Sequence, residues 1–271
     1  MGDATAPPRR PLPEPALPWT ENHLAWTSPT VRKRVLVAWE SLPRWPDLKA
    51  PRSYLRGLRI HRELFVGDYT MVYPVRGRTL YRLARHADRD HLEGALVDCG
   101  TYSGGSTALL SAGSRRRDVW AFDSFEGLPP PSERDTNDPN FDQHAAGEYF
   151  AGECLGSEDR LREAVARYGS PDRLHVRKGW FDDTLPIARE EIGPIAVLHI
   201  DGDWYDSVYC VLENLYDLVV PGGAIAIDDY GGVPGAGRAT VDWRDKVGDT
   251  APLHRVDQTG RYWKKGTRAA A

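Results

Sequence analysis

The chain of 271 residues contains little cysteine and little methionine, with three and two residues respectively. Cys99, Cys154 and Cys210 have neither the spacing of a zinc site nor that of a disulfide framework, so we expect a reducing, cytoplasmic environment. No apolar stretch is long enough to span a membrane, and the N-terminus lacks the apolar segment of a secretory signal. The net charge is −4 and no long basic run is present, so nucleic acid is not an expected partner.

The composition changes along the chain and divides it into three parts. Residues 1–18 are rich in proline and arginine, which predicts a disordered or loosely docked tail. Residues 19–68 carry four tryptophans and a stretch of helical spacing at 31–41. We predict a helical extension whose tryptophans pack on the main domain or on a partner subunit, with substrate contact as the alternative. Residues 69–271 form the predicted main domain, and a long polar segment at about 130–156 predicts a lid.

Apolar strands and helices alternate from residue 95 to residue 229, which predicts a parallel, doubly wound α/β sheet. The five strands are expected at Ala95–Cys99, Val119–Phe122, Leu174–Arg177, Ile195–Ile200 and Ala224–Ile227. A closing antiparallel hairpin is expected from Leu253–Val256 and Arg261–Lys264. Helices are predicted from about Val75 to Ala87, Glu158 to Tyr168, Asp206 to Leu218 and Ala239 to Val247. Pro221-Gly222-Gly223 is expected to end a connection between elements, and Gly231–Gly237 is expected to form a loop over the site.

Carboxylates follow two of these strands at the point where each strand ends. Asp201 and Asp203 follow the fourth strand, and Asp228 and Asp229 follow the fifth. Sheets of this kind bind ligands at the carboxyl ends of their strands. Neighbouring carboxylates need a cation or raised pKa values, and a hard cation such as Mg²⁺ prefers oxygen ligands. Alternatively these residues only cap the helices that follow, although capping needs one Asp per helix and not a pair.

A glycine-rich loop, Gly100–Ser106, follows the first strand. The order of strand, glycine loop and helix is typical of nucleotide binding, although this loop is a poor match to a dinucleotide fingerprint and a simple tight turn is the alternative. Asp98 at the strand end suits a cationic or zwitterionic ligand, and Ser106 lies where a helix N-terminus offers donors to a carboxylate. Asp123, at the end of the second strand, is placed to accept hydrogen bonds from ribose hydroxyls.

Together these motifs resemble the macrocin O-methyltransferase family, whose members methylate sugar hydroxyls on natural products. The resemblance runs from about Asp68 to the C-terminus, and the family often has glutamate where this chain has Asp98. The motifs, in order, are Asp68-Tyr69-Thr70-Met71, Asp98-Cys99-Gly100 with Gly104-Gly105-Ser106, Asp123-Ser124-Phe125-Glu126-Gly127-Leu128-Pro129, Lys178-Gly179-Trp180-Phe181 with Thr184-Leu185-Pro186, His199-Ile200-Asp201-Gly202-Asp203, and Asp228-Asp229-Tyr230.

The resemblance implies a class I, Rossmann-like methyltransferase fold with S-adenosylmethionine and Mg²⁺ as cofactors. It places Asp201, Asp228 and Asp229 on the metal and makes Asp203 the candidate general base. If the strand stays extended past its end, Asp201 and Asp203 share one face. His144 in the lid is a rival base, although a solvated loop histidine is the plainer interpretation. The expected cofactor pocket comprises Thr70, Met71, Asp98, Gly100, Tyr102, Ser106, Asp123, Ser124, Gly179, Trp180 and Phe181.

The expected activity is therefore Mg²⁺-dependent methylation of a sugar hydroxyl in a natural product or glycan, as in antibiotic biosynthesis. The expected partner is a small glycoside or saccharide acceptor, and we expect a homodimer or a higher homo-oligomer. Two alternatives stay open: the acceptor is a catechol or another aromatic vicinal diol, or the chain binds a cofactor without catalysis. The four carboxylates argue against the second alternative, because a module that only binds a cofactor has no use for a metal cluster.

Overall fold

A computed structural model describes residues 52–139 and 151–266 of the chain. The helix expected at residues 31–41, the four N-terminal tryptophans and His144 all lie outside the described residues. The domain boundaries and the homo-oligomer stay predictions. None of the helices within the described residues combines the length and the apolar character needed to cross a membrane.

One sheet forms the centre of the described structure. Its strands are β1 Ala95–Cys99, β2 Val119–Asp123, β3 Leu174–Lys178, β4 Ile195–Ile200, β5 Val219–Ile227, β6 His254–Arg255 and β7 Arg261–Lys264. They are arranged in the order β3-β2-β1-β4-β5-β7-β6. The first five run parallel, and β7 pairs antiparallel with both β5 and β6. The predicted doubly wound sheet with a closing antiparallel hairpin is confirmed.

Helices cover both faces of this sheet. They are α1 Arg52–Val66, α2 Pro74–Arg89, α3 Gly105–Gly113, α4 Glu133–Thr136, α5 Glu158–Tyr168, α6 Phe181–Ile192, α7 Tyr205–Leu215 and α8 Pro234–Val247. Successive strand residues point to opposite faces: Leu96 packs on the side of α2 and α3, whereas Val97 packs on the side of α6, α7 and α8. Because both faces are covered, the central strands β1 and β4 are buried at every position and mostly apolar.

Helix α8 begins at Pro234, five residues before the predicted start at Ala239. The expected loop Gly231–Gly237 is therefore wrong in its second half, which is the first turn of α8. Proline fits this turn because its missing N–H has no partner there in any helix. A Cβ at Gly237 would collide with the carbonyl of Tyr230, so glycine is kept here for close packing and not for loop flexibility.

Strand β5 begins at Val219, earlier than predicted, so Pro221-Gly222-Gly223 lies inside the strand and does not end a connection. The preceding helix α7 stops at Leu215, and residues Tyr216–Leu218 form a short 3₁₀ turn. These corrections leave the carboxyl ends of β4 and β5, where the acidic residues follow, as predicted.

Candidate active site

The acidic residues meet because β4 and β5 are neighbours in register. Ile200 at the end of β4 pairs with Ile227 at the end of β5, and the backbone N–H of Asp228 donates to the carbonyl of Ile200 at 3.0 Å. Asp201 and Asp228 therefore leave adjacent strands side by side. Strand β1 adjoins β4 on its other side, which brings the glycine loop to the same edge.

Two overlapping groups of side chains are close enough to hold a cation. Oxygen atoms of Asp201, Asp203 and Asp229 lie within 4.8 Å of one another, and ligand atoms of His199, Asp201 and Asp228 satisfy the same limit. The structure thus brings together the four carboxylates that the sequence singled out and adds His199. Oxygen donors dominate both groups, which fits a hard divalent cation such as Mg²⁺.

Asp203 reaches the cluster by a route that differs from the expected one. Its backbone is left-handed, with φ of 53°, and β4 has already ended at Ile200. The expectation of an extended backbone through Asp203 is therefore wrong. Asp tolerates this conformation better than most residues, and the turn, rather than strand alternation, brings its carboxylate close to that of Asp201.

Crowding changes the ionisation of these carboxylates. Burial raises the pKa of Asp201 and of Asp203 well above the ordinary value, and the charges of Asp228 and Asp229 add to the effect. Burial and the charge of Asp228 raise the pKa of Asp229 to about 6. A bound divalent cation favours the ionised forms and would reverse these shifts.

Asp228 is the exception because it contacts Arg76, in the first turn of α2. The guanidinium Nη1 donates to Oδ2 of Asp228. Burial alone would raise the pKa of Asp228, but Arg76 and His199 together outweigh burial and hold that pKa below the ordinary value. Arg76 lies 152 residues from Asp228 in sequence and was not among the predicted site residues. The only sequence signal for Arg76 was indirect: four neighbouring carboxylates need a positive charge close by, but the sequence does not say which residue supplies that charge.

A second basic side chain, His199, lies behind the cluster on β4. Its Nδ1 is 2.7 Å from Oδ1 of Asp98, and its Nε2 is 3.8 Å from Oδ1 of Asp228. Burial lowers the pKa of His199, but the two carboxylates outweigh burial and raise it to about 9. The sequence analysis placed this residue in the motif His199-Ile200-Asp201-Gly202-Asp203 but did not assign it a role.

Asp98 lies beneath the glycine loop and is fully buried. Its Oδ2 accepts hydrogen bonds from the hydroxyls of Ser106 at 2.8 Å and Thr107 at 2.5 Å, while Oδ1 faces His199. The structure therefore gives Asp98 a supporting position under the first turn of α3. Ser106 is also buried and directs its hydroxyl to Asp98.

Asp123 shapes the glycine loop from the end of β2. One oxygen accepts the backbone N–H groups of Thr101 and Tyr102, both at 2.8 Å, and the other accepts that of Phe125 at 2.7 Å. Burial raises the pKa of Asp123 although these hydrogen bonds oppose it. A carboxylate has about four acceptor sites, so Asp123 can still accept a hydrogen bond from a ribose hydroxyl.

The remaining predicted pocket residues lie on segments that contact this loop. The N–H of Gly179 donates to the carbonyl of Asp123 at 3.0 Å, and the N–H of Gly105 donates to that of Tyr69 at 2.9 Å. A Cβ at Gly105 would collide with Thr70, and one at Gly100 would collide with the carbonyl of Asp201. The other members are Met71 before α2, Ser124 after β2, and Trp180 and Phe181 at the start of α6.

The described parts of the segment predicted to be a lid are anchored at both ends. Leu128 exchanges backbone hydrogen bonds with the segment Gly152–Glu153 at 2.9 and 2.8 Å, so the two ends of the lid meet. In the part before residue 140, Asp135 accepts the backbone N–H of Tyr205 at 2.8 Å. Just after the segment, the N–H of Ser157 donates to the carbonyl of Tyr102 in the glycine loop at 3.2 Å.

Comparison with known proteins gives the family. Residues 57–265 match the family described as Macrocin-O-methyltransferase (TylF), and the chain belongs to this family. As its motifs predicted, it is an O-methyltransferase, and its fold is the Rossmann-like fold of class I methyltransferases.

Two relatives and one solved structure show what the chain is similar to. The chain is 34% identical over 192 residues to the 8-demethyl-8-(2,3-dimethoxy-alpha-L-rhamnosyl)-tetracenomycin-C 4'-O-methyltransferase of Streptomyces olivaceus, covering 67% of this chain and 69% of the relative. It is 32% identical to the Mycinamicin III 3''-O-methyltransferase of Micromonospora griseorubida, covering 73% and 78% respectively. Among solved structures, the O-methyltransferase NovP superposes with a TM-score of 0.65 at 31% identity, covering 73% of this chain and 83% of NovP.

Proposed function

We propose that this enzyme transfers a methyl group from S-adenosylmethionine to a hydroxyl of a sugar on a natural product, in the assembly of a glycosylated antibiotic, and that it requires Mg²⁺. One observation carries the proposal: Asp201, Asp203, Asp228 and Asp229 converge at the edge of the sheet that also holds the glycine loop. The relatives support the acceptor class, because one is named for a rhamnosyl compound and another for mycinamicin III.

The cluster meets the main chemical difficulty of this reaction. A sugar hydroxyl has a pKa far above 7, so it is a poor nucleophile until it loses its proton. A divalent cation held by Asp201, Asp228 and Asp229 would lower the pKa of a bound oxygen by several units. The carboxylate oxygens of the three residues suit such a cation in type.

Asp203 is the candidate base for the proton of the acceptor. Its carboxylate adjoins those of Asp201 and Asp229, so it would lie beside the acceptor oxygen. Asp203 must be ionised to accept a proton, and a divalent cation held by its neighbours would favour that ionised form over the raised pKa that burial and the neighbouring charges otherwise give it. His144 remains the rival base, and its position is outside the described residues.

The methyl donor is proposed to lie along the glycine loop. The first turn of α3 offers backbone N–H groups to a carboxylate, Asp123 offers an acceptor site to a ribose, and Thr70 and Met71 close over the cofactor. Methyl transfer then depends mainly on in-line positioning of the donor and the acceptor oxygen. Calorimetry should show that S-adenosylhomocysteine binds without added metal. Binding of NAD in its place would contradict this assignment of the loop.

A panel of acceptors tests the function directly. The enzyme is incubated with S-adenosylmethionine, Mg²⁺ and either a rhamnosyl glycoside, the corresponding aglycone or catechol, and product is identified by mass and by NMR of the new methoxyl group. We expect a methoxyl group on the sugar ring only. Methylation of catechol but not of the glycoside would favour the aromatic alternative, and Asp228→Ala protein provides the inactive control.

A further inference from the structure

Arg76 is a buried cation inside the acidic cluster. Its side chain is only 11% exposed, and Nη1 donates to Oδ2 of Asp228 and lies 4.0 Å from Oδ1 of Asp229. Its Nε donates to Oδ2 of Asp257 at 2.8 Å. One planar guanidinium thus joins the end of β5 to the loop between β6 and β7. A forked group can satisfy two carboxylates in this way, whereas a lysine ammonium cannot reproduce the geometry.

The partner of Arg76 in that loop is itself held in place. The second oxygen of Asp257, Oδ1, accepts the backbone N–H groups of Thr259 at 3.0 Å and Gly260 at 2.7 Å. A Cβ at Gly260 would lie only 2.9 Å from Cδ of Arg76, so the absence of a side chain there makes room for the arginine stem. Arg76 is therefore a fixed part of the cluster and not a mobile surface residue.

This position has two consequences for a cation at Asp228. Because Oδ2 of Asp228 accepts a hydrogen bond from Arg76, a cation that bound both oxygens of Asp228 would compete with the guanidinium, and Oδ1 is the oxygen that can bind the cation without that competition. A divalent cation held by Asp228 and Asp229 would also lie a few ångströms from the guanidinium. Like charges repel strongly at such distances in a buried site, so the arginine opposes tight binding of the cation.

On the basis of the proposed function, we infer that Arg76 is a positioning residue with two effects: it favours a single oxygen of Asp228 as ligand to the divalent cation, and it weakens the binding of that cation. The first effect keeps coordination positions open for the acceptor. The second keeps the cation exchangeable. The positive charge of Arg76 controls the affinity for the cation, and the forked shape of its guanidinium controls the orientation of Asp228. Substitutions that remove only one of these properties can therefore separate the two effects.

Binding of Mn²⁺, followed by electron paramagnetic resonance in the absence of acceptor, tests the inference without depending on turnover. Arg76→Met removes the charge, and we expect its Kd for Mn²⁺ to fall by about tenfold or more. Arg76→Lys retains the charge but not the fork, so we expect its Kd to stay within about threefold of wild type. Both variants should lose kcat by about tenfold or more, because Asp228 is no longer held in orientation.

The Kd for Mn²⁺ of each variant is compared with that of the wild-type protein. Arg76→Met protein that binds Mn²⁺ no more tightly than wild type, with an unchanged affinity for S-adenosylhomocysteine, overturns the inference. If Arg76→Met does not fold, the neutral variant Arg76→Gln gives the same comparison. Wild-type protein that takes up no Mn²⁺ would contradict the proposed metal requirement. In that case, Mn²⁺ binding by Arg76→Met would still support the inference, and no binding by Arg76→Met would overturn it.

Discussion

Nδ1 of His199 lies 2.7 Å from Oδ1 of Asp98, and both side chains are buried between the glycine loop and the acidic cluster. The pair joins β4 to β1 below the expected cofactor pocket. On the pocket side, Asp98 supports the first turn of α3 through two hydroxyl groups. On the other side, His199 faces a proposed metal ligand. A chain of charged groups therefore connects the two halves of the site.

Removal of one member of this pair should strongly destabilise the protein. His199→Leu leaves the buried carboxylate of Asp98 without its charged partner, so we expect the free energy of unfolding to fall by about 3–5 kcal/mol. Urea unfolding of the metal-free protein measures this. The double variant His199→Leu/Asp98→Asn should recover about 1 kcal/mol or more of the loss, because the uncompensated charge is gone. Purely additive effects would show that the two side chains do not interact as described.

Gly100 should be essential for both halves of the site. Its φ is 87°, and a Cβ would collide with the carbonyl of Asp201, so Gly100→Ala must displace either the loop or the acidic residue. We expect a loss of about 3 kcal/mol in stability and weaker binding of both S-adenosylhomocysteine and Mn²⁺. The matched control is Gly248→Ala, which has φ of 68° but nothing within 4 Å. It should cost about 1 kcal/mol and leave both ligands bound normally.

The roles of Asp203 and Asp201 should separate on substitution. Asp203→Asn keeps the size of the side chain, tolerates the left-handed backbone and cannot accept a proton. We expect kcat to fall by roughly 10²–10⁴-fold with little change in the Kd for Mn²⁺. Asp201→Asn should weaken Mn²⁺ binding as well. If Asp203→Asn loses the metal together with activity, Asp203 belongs among the metal ligands; near-normal turnover would remove it from the chemistry and direct attention to His144.

Acid should destabilise the protein through His61, which lies on α1 and is not part of the acidic cluster. Its Nε2 donates to the carbonyl of Val72 at 2.8 Å, and the buried Nδ1 has no partner. Burial lowers the pKa of His61 from 6.5 to about 4. The unfolded chain therefore binds more protons between these values, so this stability is complete above about pH 6.5 and is lost as the pH falls to about 4.

Comparison with His61→Gln isolates this effect, because glutamine can donate to Val72 but does not titrate. Between about pH 7.5 and about pH 4.5, wild type should lose about 2 kcal/mol more of its free energy of unfolding than the variant. Parallel losses in the two proteins would show that His61 is not buried in its neutral form.

Much of the fold could be predicted from local patterns. The apolar strand runs, the carboxylates that follow Ile200 and Ile227, and the alternation of strands and helices all act over short stretches of sequence. The conformation at Asp203 could not be predicted, because an aspartate adopts either an extended or a left-handed backbone according to the helix that follows. The early start of α8 was also missed, since the glycines near Pro234 resemble a loop until their close packing is known.

The charged partners of the site depend on contacts that are distant in sequence. Arg76 is one of several arginines in α2, and nothing local distinguishes it from a surface residue; its role comes from Asp228 and Asp257, which belong to other elements. His199 likewise sits in an apolar strand, where a histidine has no visible partner until β1 is placed beside it. In both cases, the physical signal was the excess of buried negative charge.

The most direct test of the account is the dependence of methyl transfer on a divalent cation. Exhaustive chelation of the purified enzyme should abolish transfer to a sugar hydroxyl, and Mg²⁺ should restore it, while S-adenosylhomocysteine binds equally well before and after chelation. The variant Asp228→Ala should retain that cofactor binding and show no recovery with Mg²⁺. Full activity in excess chelator would contradict the proposal that the carboxylates of β4 and β5 act through a bound metal ion.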